Sequence, residues 1–222
     1  MDYGEMLSDS FGYAKDAVWG KWTRWVLLLI STIIFPLIMG YTVRVYSGVK
    51  PAPELENWGG LFIDGVKLFV IGLIYAIPVL IIAAIFFIPA MLLAIGSGGD
   101  DPAALAAAFG SFGIGLLVMI VVAIIISLVS AIGVIRFARK DSFGQAFAFG
   151  AIFEHIGTIG WGSYIIALII LWIVGVVFSV VITLLGAIPI IGWLITLFLY
   201  PPWIIFAARY MALIYESAPA PA

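Results

Sequence analysis

IGTIGWGSYIIALIILWIVGVVFSVVITLLGAIPIIGWLITLFLYPPWIIFAA, residues 156–208, is a stretch of 53 residues without one charged side chain. As a helix it would extend for about 80 Å, whereas the hydrocarbon core of a bilayer is about 30 Å thick and needs only about 20 residues to cross. The stretch therefore contains two spans. The sequence GAIPIIG at 186–192 supplies the helix-breaking glycines and proline between them. We expect hydrophobic segments at 160–185 and 188–210.

Three uncharged runs precede this stretch, and we assign hydrophobic segments to 25–43, 68–96 and 103–135. The composition agrees, since the chain is 65% hydrophobic and 10% charged, whereas soluble proteins carry roughly 25% charged residues. The sequence predicts an all-α fold, a polytopic integral membrane helix bundle with about five hydrophobic segments. We expect one membrane domain over 1–216 and a disordered Pro/Ala tail at 217–222.

The distribution of Lys and Arg predicts the orientation of these segments. The turns at 97–102 and 186–192 contain no basic residue, so the positive-inside rule places both outside and places the C-terminus and the 136–156 linker in the cytoplasm. In the first turn, Asp101 is a good N-cap and Pro102 suits the first helical position. The chain is thus expected in the cell membrane as a multi-pass protein.

The first hydrophobic segment, 25–43, conflicts with a simple alternation of crossings. Residues 1–24, an amphipathic lead-in, carry three basic residues, which favours a cytoplasmic N-terminus. The segment would then have to enter and return on the same side. Because proline kinks helices, we expect a kinked or re-entrant segment with Pro36 and Gly40 at the bend. A plain crossing with an outside N-terminus is the alternative.

Two further amphipathic segments are expected to lie in the membrane interface as helices. The first covers 54–66 and places Trp and Phe on one face and charged residues on the other. The second covers 142–155, where Ser142 and Gln145 have the spacing of a capping box.

Residues 40–78 read GYTVRVYSGVKPAPELENWGGLFIDGVKLFVIGLIYAIP. This combination of Gly-Tyr-x-x-Arg, a proline with acidic residues before a tryptophan, Phe-x-Asp-Gly and Tyr-x-x-Pro resembles an uncharacterised family of prokaryotic, mainly archaeal, membrane proteins, domain of unknown function 4013. The resemblance covers nearly the whole chain and implies a polytopic membrane architecture with no known activity. The positions that match the family motif, with an expected structural role, are Gly40, Tyr41, Arg44, Pro53, Trp58, Phe62, Asp64 and Gly65, followed by Tyr75 and Pro78.

Two charged residues of this motif suggest a structural role. Arg44 ends the first hydrophobic segment and Asp64 lies on the expected interfacial helix, so an ion pair between them would fix how that helix docks on the bundle. A ligand site is the alternative.

A second group of basic residues, Arg136, Arg139 and Lys140, follows the third segment and is a possible contact for anionic lipid. The same residues are also what a cytoplasmic linker requires for orientation alone.

The residue types and motifs of the sequence give little support to catalysis or to cofactor binding. The chain has no cysteine and one histidine, which excludes disulfides and a His-rich zinc site, and no nucleophile or phosphate-binding motif occurs. A net charge of −2 does not favour nucleic acid as a partner. We expect no cofactor, no metal site and no enzyme. The cores of the spans contain no ionisable residue, which weakens ion-coupled transport.

The interpretation that remains is a non-enzymatic membrane protein that acts by assembly, as a homo-oligomer or as an accessory subunit of a membrane complex. The alternative is a passive pore or transporter for a small solute or ion. A pore predicts that polar positions of the spans, Ser127, Ser130, Ser179 and Thr183, face a common axis. A lipid-interacting protein is the third possibility, and membrane lipids are expected partners in every case.

Overall fold

The structure is a computed structural model that describes residues 1–98 and 100–218. Every regular element in this part of the chain is helical, which confirms the all-α class. The helices are α1 (Tyr3–Val18), α2 (Trp22–Ile33), α3 (Phe35–Tyr46), α4 (Trp58–Gly96), α5 (Pro102–Lys140), a 3₁₀ helix (Phe143–Phe147), α6 (Phe149–Ile159), α7 (Trp161–Gly186) and α8 (Ile191–Glu216).

Among the described residues, four helices are long and apolar enough to cross a membrane: α4, α5, α7 and α8. The pair α2–α3 passes the same test as a bent unit, which makes up to five candidate spans and confirms the expected number. α7 ends at Gly186 and α8 begins at Ile191, so the break falls within GAIPIIG. Of the expected tail 217–222, residues 219–222 lie outside the described part of the chain.

The first hydrophobic segment is sharply bent, because α2 and α3 meet at an angle of 119°. The bend lies at Ile34, between the two helices. Pro36 follows it in the first turn of α3, where a missing N–H costs nothing because that donor has no helical partner anyway. The expected position of Gly40 at the bend is wrong, since Gly40 lies in the middle of α3.

The start of α2 and the end of α3 both contact the same residue, Glu54. Arg24, in the first turn of α2, pairs with the carboxylate of Glu54, and Arg44, in the last turn of α3, donates to the Glu54 carbonyl oxygen at 3.3 Å. Each helix has 12 residues and is about 18 Å long, shorter than the hydrocarbon core. The pair therefore turns back on itself, and its tip, Ile33 to Phe35, is exposed and apolar.

The separate interfacial helix expected at 54–66 is not formed. Residues 51–57 have no helical structure, and α4 begins at Trp58 and continues without a break to Gly96. Asn57 supplies the cap, since its side-chain oxygen accepts from the backbone N–H of Gly60 at 3.1 Å. The two proline residues in this segment, before the cap, keep the chain extended.

The segment expected as a helix at 142–155 is divided into the 3₁₀ helix and α6. The proposed capping box is wrong, because the Ser142 side chain makes no capping hydrogen bond. The Gln145 side chain instead accepts a hydrogen bond from Nε of Arg136 at 3.0 Å.

The chain divides into two compact units. The bundle unit comprises residues 1–71 and the chain from 131 onward. In it, α1 packs most extensively against α8, and the core that these helices share with α2, α3 and the start of α4 includes the fully buried side chains of Ala17, Leu28, Tyr41, Leu61 and Ile205.

The hairpin unit comprises residues 72–130, the C-terminal part of α4 and the N-terminal part of α5. Asp101 caps α5 as expected, accepting from the backbone N–H of Ala103 at 2.9 Å. Between the two helices, the rings of Phe87 and Phe112 stack at 4.8 Å and the Ser111 hydroxyl donates to the Phe86 carbonyl oxygen at 3.2 Å.

Candidate functional site: a buried arginine and a charged cleft

Arg209 of α8 is the largest fully buried side chain in the described residues. Its Nε donates to Oδ1 of Asp9 on α1 at 2.8 Å, and its Nη1 lies 3.6 Å from Oε1 of Glu216. A buried charge is costly unless an opposite charge lies beside it, and inside a membrane helix it marks a functional or strongly constrained position. Arg209 lies within α8, which is one of the candidate spans.

Four other charged residues complete what we call the Arg209 cluster: Asp9, Lys50, Arg139 and Glu216. Lys50 pairs with the second oxygen of Asp9 at 3.1 Å, and Arg139 pairs with Glu216. With three cations and two carboxylates, the cluster joins α1, the loop after α3, the end of α5 and the end of α8.

The cations of this cluster also lie against aromatic rings. Cζ of Arg209 is 5.4 Å from the ring centroid of Tyr13, and Cζ of Arg139 is 5.8 Å from that of Tyr215, distances at which a ring face attracts a cation. The ring of Tyr215 also stacks on the ring of His155 of α6, with 3.9 Å between the ring centroids. Packing as well as charge therefore holds the cluster.

Gly48 makes room for the Arg139 guanidinium. Its φ of +87° is a conformation that favours glycine, and a Cβ at this position would lie 2.6 Å from Cζ of Arg139. The guanidinium can therefore approach the loop backbone and donate from Nε to the carbonyl oxygen of Tyr46 at 2.7 Å.

The surroundings shift the pKa of two groups near the cluster. Burial alone would raise the pKa of Asp9, but hydrogen bonds from Arg209 and Lys50, together with their charges, outweigh it and hold the pKa below its usual range. Burial lowers the pKa of His155, an effect that its hydrogen bond to the Tyr215 carbonyl opposes and the charge of Arg136 reinforces. Asp9 therefore stays ionised and His155 stays neutral near pH 7.

The guanidinium of Arg209 is closed to ligands in this conformation. Nη1 and Nη2 of Arg209 are fully buried and form no hydrogen bond within residues 1–98 and 100–218. The arrangement is a clamp that fixes the N-terminal helix to the last helix through residues 200 positions apart in sequence.

A second charged group lies at the open end of the bent pair. Nε of Arg24 donates to Oε2 of Glu54 at 2.9 Å, and its Nη1 donates to the Ala52 carbonyl oxygen at 3.4 Å. Beside this pair is an open cleft of about 630 Å³. Its lining includes Lys21, Trp22, Arg24, Leu27, Glu54 and Glu56.

The ion pair expected between Arg44 and Asp64 is wrong. Arg44 donates to the carbonyl oxygens of Glu54 and Asn57 at 3.3 and 3.4 Å, while Asp64 pairs with Lys67 at 3.1 Å, three residues along the same helix. The non-helical segment before α4 presents free carbonyl oxygens to Arg44, which removes its need for a carboxylate.

Of the other family-motif residues, Tyr41 also holds this segment, whereas Trp58 and Phe62 do not. The buried Tyr41 donates its hydroxyl to the Pro53 carbonyl oxygen at 3.0 Å. Trp58 and Phe62 are partly exposed on α4 and lie outside the core of the bundle unit.

Gly40 and Gly65 form the crossing of α3 with α4. A Cβ on Gly65 would overlap the Pro36 carbonyl oxygen and lie 2.9 Å from the backbone nitrogen of Gly40. A Cβ on Gly40 would likewise overlap the carbonyl oxygen of Leu61. The two helices touch backbone to backbone, an approach that only glycine permits and that membrane helices commonly use.

The possible lipid contacts have different environments. Arg136 is half-buried and bonded to Gln145, Arg139 belongs to the Arg209 cluster, and Lys140 is exposed. Lipid contact at these residues stays a prediction, with Lys140 the most accessible of the three.

The positions considered for a pore lining satisfy their hydroxyls locally. Ser127, Ser130, Ser179 and Thr183 each donate to a carbonyl oxygen three or four residues earlier in their own helix. This is how isolated hydroxyls in apolar helices usually find a partner, so it does not favour a pore.

Sequence reasoning did not anticipate that Asp9 and Glu216 are the partners of Arg209. One signal was available: an arginine inside a hydrophobic helix requires an acidic partner, and the chain has 12 acidic residues. Which of them reaches it depends on how α1 packs on α8.

In a comparison with protein families, the family described as "Protein of unknown function (DUF4013)" matches residues 25–187. No curated protein and no solved structure matches the chain.

Proposed function

The chain belongs to the family of proteins of unknown function DUF4013, and we propose that it is a non-enzymatic scaffold of the cell membrane that assembles with further copies of itself. The integral membrane character follows from its apolar helices. The assembly role rests on the hairpin unit.

The hairpin helices are longer than a bilayer requires. The uncharged part of α4, 68–96, has 29 residues, and that of α5, 102–135, has 34. These correspond to about 43 and 51 Å of helix against a hydrocarbon core of about 30 Å. Even a tilt of about 40° leaves about 39 Å of the longer helix along the membrane normal, so apolar surface extends past the core.

We place the excess apolar surface at the tip of the hairpin, next to the turn. Ile95 and Phe109 are 68% and 74% exposed, and an apolar groove of about 490 Å³ lies between the helix ends. The groove is lined by Phe87, Ala90, Met91, Ala94, Leu105, Ala108, Phe109 and Phe112. Contiguous apolar surface outside the hydrocarbon core marks a protein interface.

A second copy of this chain fits that interface. Each tip offers both a groove and projecting apolar side chains, so two tips related by a two-fold axis present complementary surfaces to one another. Two hairpins side by side form a four-helix bundle, the usual way in which four such helices bury a common face. The exposed apolar groove at the hairpin tip is the observation on which the proposal of self-assembly rests.

We also propose which side of the membrane the two termini and the 136–156 linker share. Within the bundle unit, α1 contacts the loop after α3 through Asp9 and Lys50, and the end of α5 contacts the end of α8 through Arg139 and Glu216. The N-terminus, the 136–156 linker and the C-terminus then share one side of the membrane. Because the basic residues lie there, we place this side in the cytoplasm.

Site-specific cross-linking tests the proposal, because the chain has no native cysteine. Ile95→Cys and Leu184→Cys are a matched pair: both side chains are 68% exposed, and each lies near the end of its helix. In native membranes treated with a bifunctional thiol reagent, we expect Ile95→Cys to give a covalent dimer and Leu184→Cys to remain monomeric. Native mass spectrometry of the unmodified chain should give a homo-oligomeric mass.

Two results would contradict the proposal. A monomeric mass, with equal cross-linking at the two positions, would exclude assembly through the hairpin tip. A cross-linked product that contains a different polypeptide would replace self-assembly with the role of an accessory subunit.

A further inference from the structure

The cleft beside Arg24 lies at the open end of the bent pair, opposite its apolar tip. At the tip, the consecutive apolar side chains of Ile33, Ile34 and Phe35 are all exposed, as side chains in hydrocarbon are. At the open end, Trp19 and Trp22 are exposed beside Lys21. Tryptophan and lysine are the residues that anchor a membrane protein at the level of the lipid headgroups. The cleft therefore lies where a headgroup can enter it from the bilayer.

The charges of the cleft are balanced. Two cations, Lys21 and Arg24, and two carboxylates, Glu54 and Glu56, line it. Arg24 is only 7% exposed and is held in place by the Glu54 carboxylate and the Ala52 carbonyl oxygen. Within the described part of the chain, Lys21 and Glu56 form no ion pair, so one positive and one negative group remain unpaired in the same cleft.

An anionic headgroup would meet two carboxylates here, whereas a zwitterionic one matches both signs of charge. A phosphate would lie at Lys21, beside Arg24, which is itself bonded to the Glu54 carboxylate. A primary ammonium group would donate to Glu56, and it can form three hydrogen bonds, which a quaternary ammonium cannot. The chemistry that the cleft recognises is thus a phosphate joined to a primary amine.

We propose that this cleft binds the headgroup of a phosphoethanolamine lipid, with its phosphate at Lys21, beside Arg24, and its ammonium at Glu56. The site is separate from the hairpin tip and does not depend on self-assembly.

Lipid retention measured by native mass spectrometry tests this assignment on the full chain in detergent. The probes are dioleoyl lipids with phosphoethanolamine, phosphocholine and phosphoglycerol headgroups, which share the same acyl chains. We expect the phosphoethanolamine lipid to be retained most strongly. Lys21→Gln should weaken retention of both the phosphoethanolamine and phosphoglycerol lipids by about fivefold, as expected for one basic residue near a headgroup.

Glu56→Gln separates recognition of the amine from recognition of the phosphate. It should reduce retention of the phosphoethanolamine lipid to that of the phosphocholine lipid and leave the phosphoglycerol lipid unweakened. Lys15→Gln and Asp16→Asn are the controls, because they remove the same charges from exposed positions of α1 outside the cleft. Neither control should change retention.

Three results would overturn the assignment. Equal or stronger retention of the phosphoglycerol or phosphocholine lipid by the native chain would remove the role of the ammonium group. Unchanged retention in Glu56→Gln or Lys21→Gln would place the lipid elsewhere. Equal binding of soluble glycerophosphoethanolamine at the same concentration would identify a soluble ligand instead of a membrane lipid.

Discussion

The bundle unit and the hairpin unit are built from equally helical sequence but are held together differently. All ion pairs among the described residues lie in the bundle unit, where they connect α1, α2, α5 and α8. The hairpin unit has a hydrogen bond between its helices, from Ser111 to Phe86, and otherwise packs through apolar side chains. Ion pairs connect the helices of the bundle unit, whereas apolar packing connects the two helices of the hairpin unit.

The two units can differ in this way because the solvent around membrane helices is lipid and not water. Lipid tails are as apolar as leucine, so burying apolar side chains does not by itself drive helices together. Close backbone packing and polar contacts must do so, and the bundle unit has both. The hairpin has few of either, and many of its apolar side chains are exposed.

The largest expected effect is at the glycine crossing of the bundle unit. Gly65→Ala forces a methyl group into the Pro36 carbonyl and must separate α3 from α4. We expect a loss of about 3 kcal/mol or more in the free energy of unfolding, measured as a lower thermal midpoint in detergent by fluorescence-detected size exclusion. Gly72→Ala, seven residues further along the same helix, is the control, because nothing lies within 4 Å of its Cβ.

Gly72→Ala should leave the midpoint unchanged or raise it slightly, since alanine has the higher helix propensity. If both variants lowered the midpoint equally, the glycines would matter for the flexibility of α4, and the backbone contact with α3 would not be the cause.

A smaller loss is expected when the Arg209 cluster is broken. Asp9→Asn keeps a hydrogen-bond acceptor for Arg209 but removes the charge that balances the buried guanidinium. We expect a loss of about 2 kcal/mol, below the usual cost of a broken buried pair because Asp9 itself is partly exposed. Asp101→Asn in the hairpin unit is the matched control, since asparagine caps a helix about as well as aspartate.

The measurement is again the thermal midpoint, read in parallel for both variants. A midpoint for Asp9→Asn equal to that of Asp101→Asn would show that Glu216 alone balances Arg209, and that the clamp between α1 and α8 does not need Asp9.

The sequence predicts the helical spans well for a physical reason. A run of about 20 uncharged residues has one stable conformation in a bilayer, so segment number and breaks follow from composition. The cap at Asp101 and the sharp bend of the first segment were predicted by the same local rules. Local chemistry is readable because its partners are neighbours in sequence.

The site was harder to predict, because its contacts depend on how distant helices pack. Asp9 and Arg209 are 200 positions apart, and no local pattern connects them. Arg44 was assigned a carboxylate partner because charges usually pair, yet the unpaired carbonyl oxygens of an extended segment reach it instead. The same segment looked helical because its apolar residues have helical spacing, but its prolines prevent that conformation.

The smallest expected effect is a pH dependence of stability that comes from His155, a residue of the bundle unit. Because its pKa lies below the usual value in the folded protein, the fold favours the neutral ring. The resulting stability is present above a pH of about 6.5, the pKa of an unperturbed histidine, and is lost as the pH falls through the folded value. Solvent screens this partly exposed ring, so the loss should stay below about 1 kcal/mol.

The thermal midpoint of the native chain should therefore fall slightly between pH 7.5 and pH 5.5, whereas His155→Gln, which does not titrate and can still donate to the Tyr215 carbonyl, should show no such fall. Asp9 is not the cause of a change in this range, since its pKa is lowered from 3.8 and its contribution is lost only at lower pH. An equal fall in both proteins would assign the pH dependence to a group other than His155. A fall in the native chain alone would establish that the contact of α6 with α8 contributes to the stability of the bundle unit.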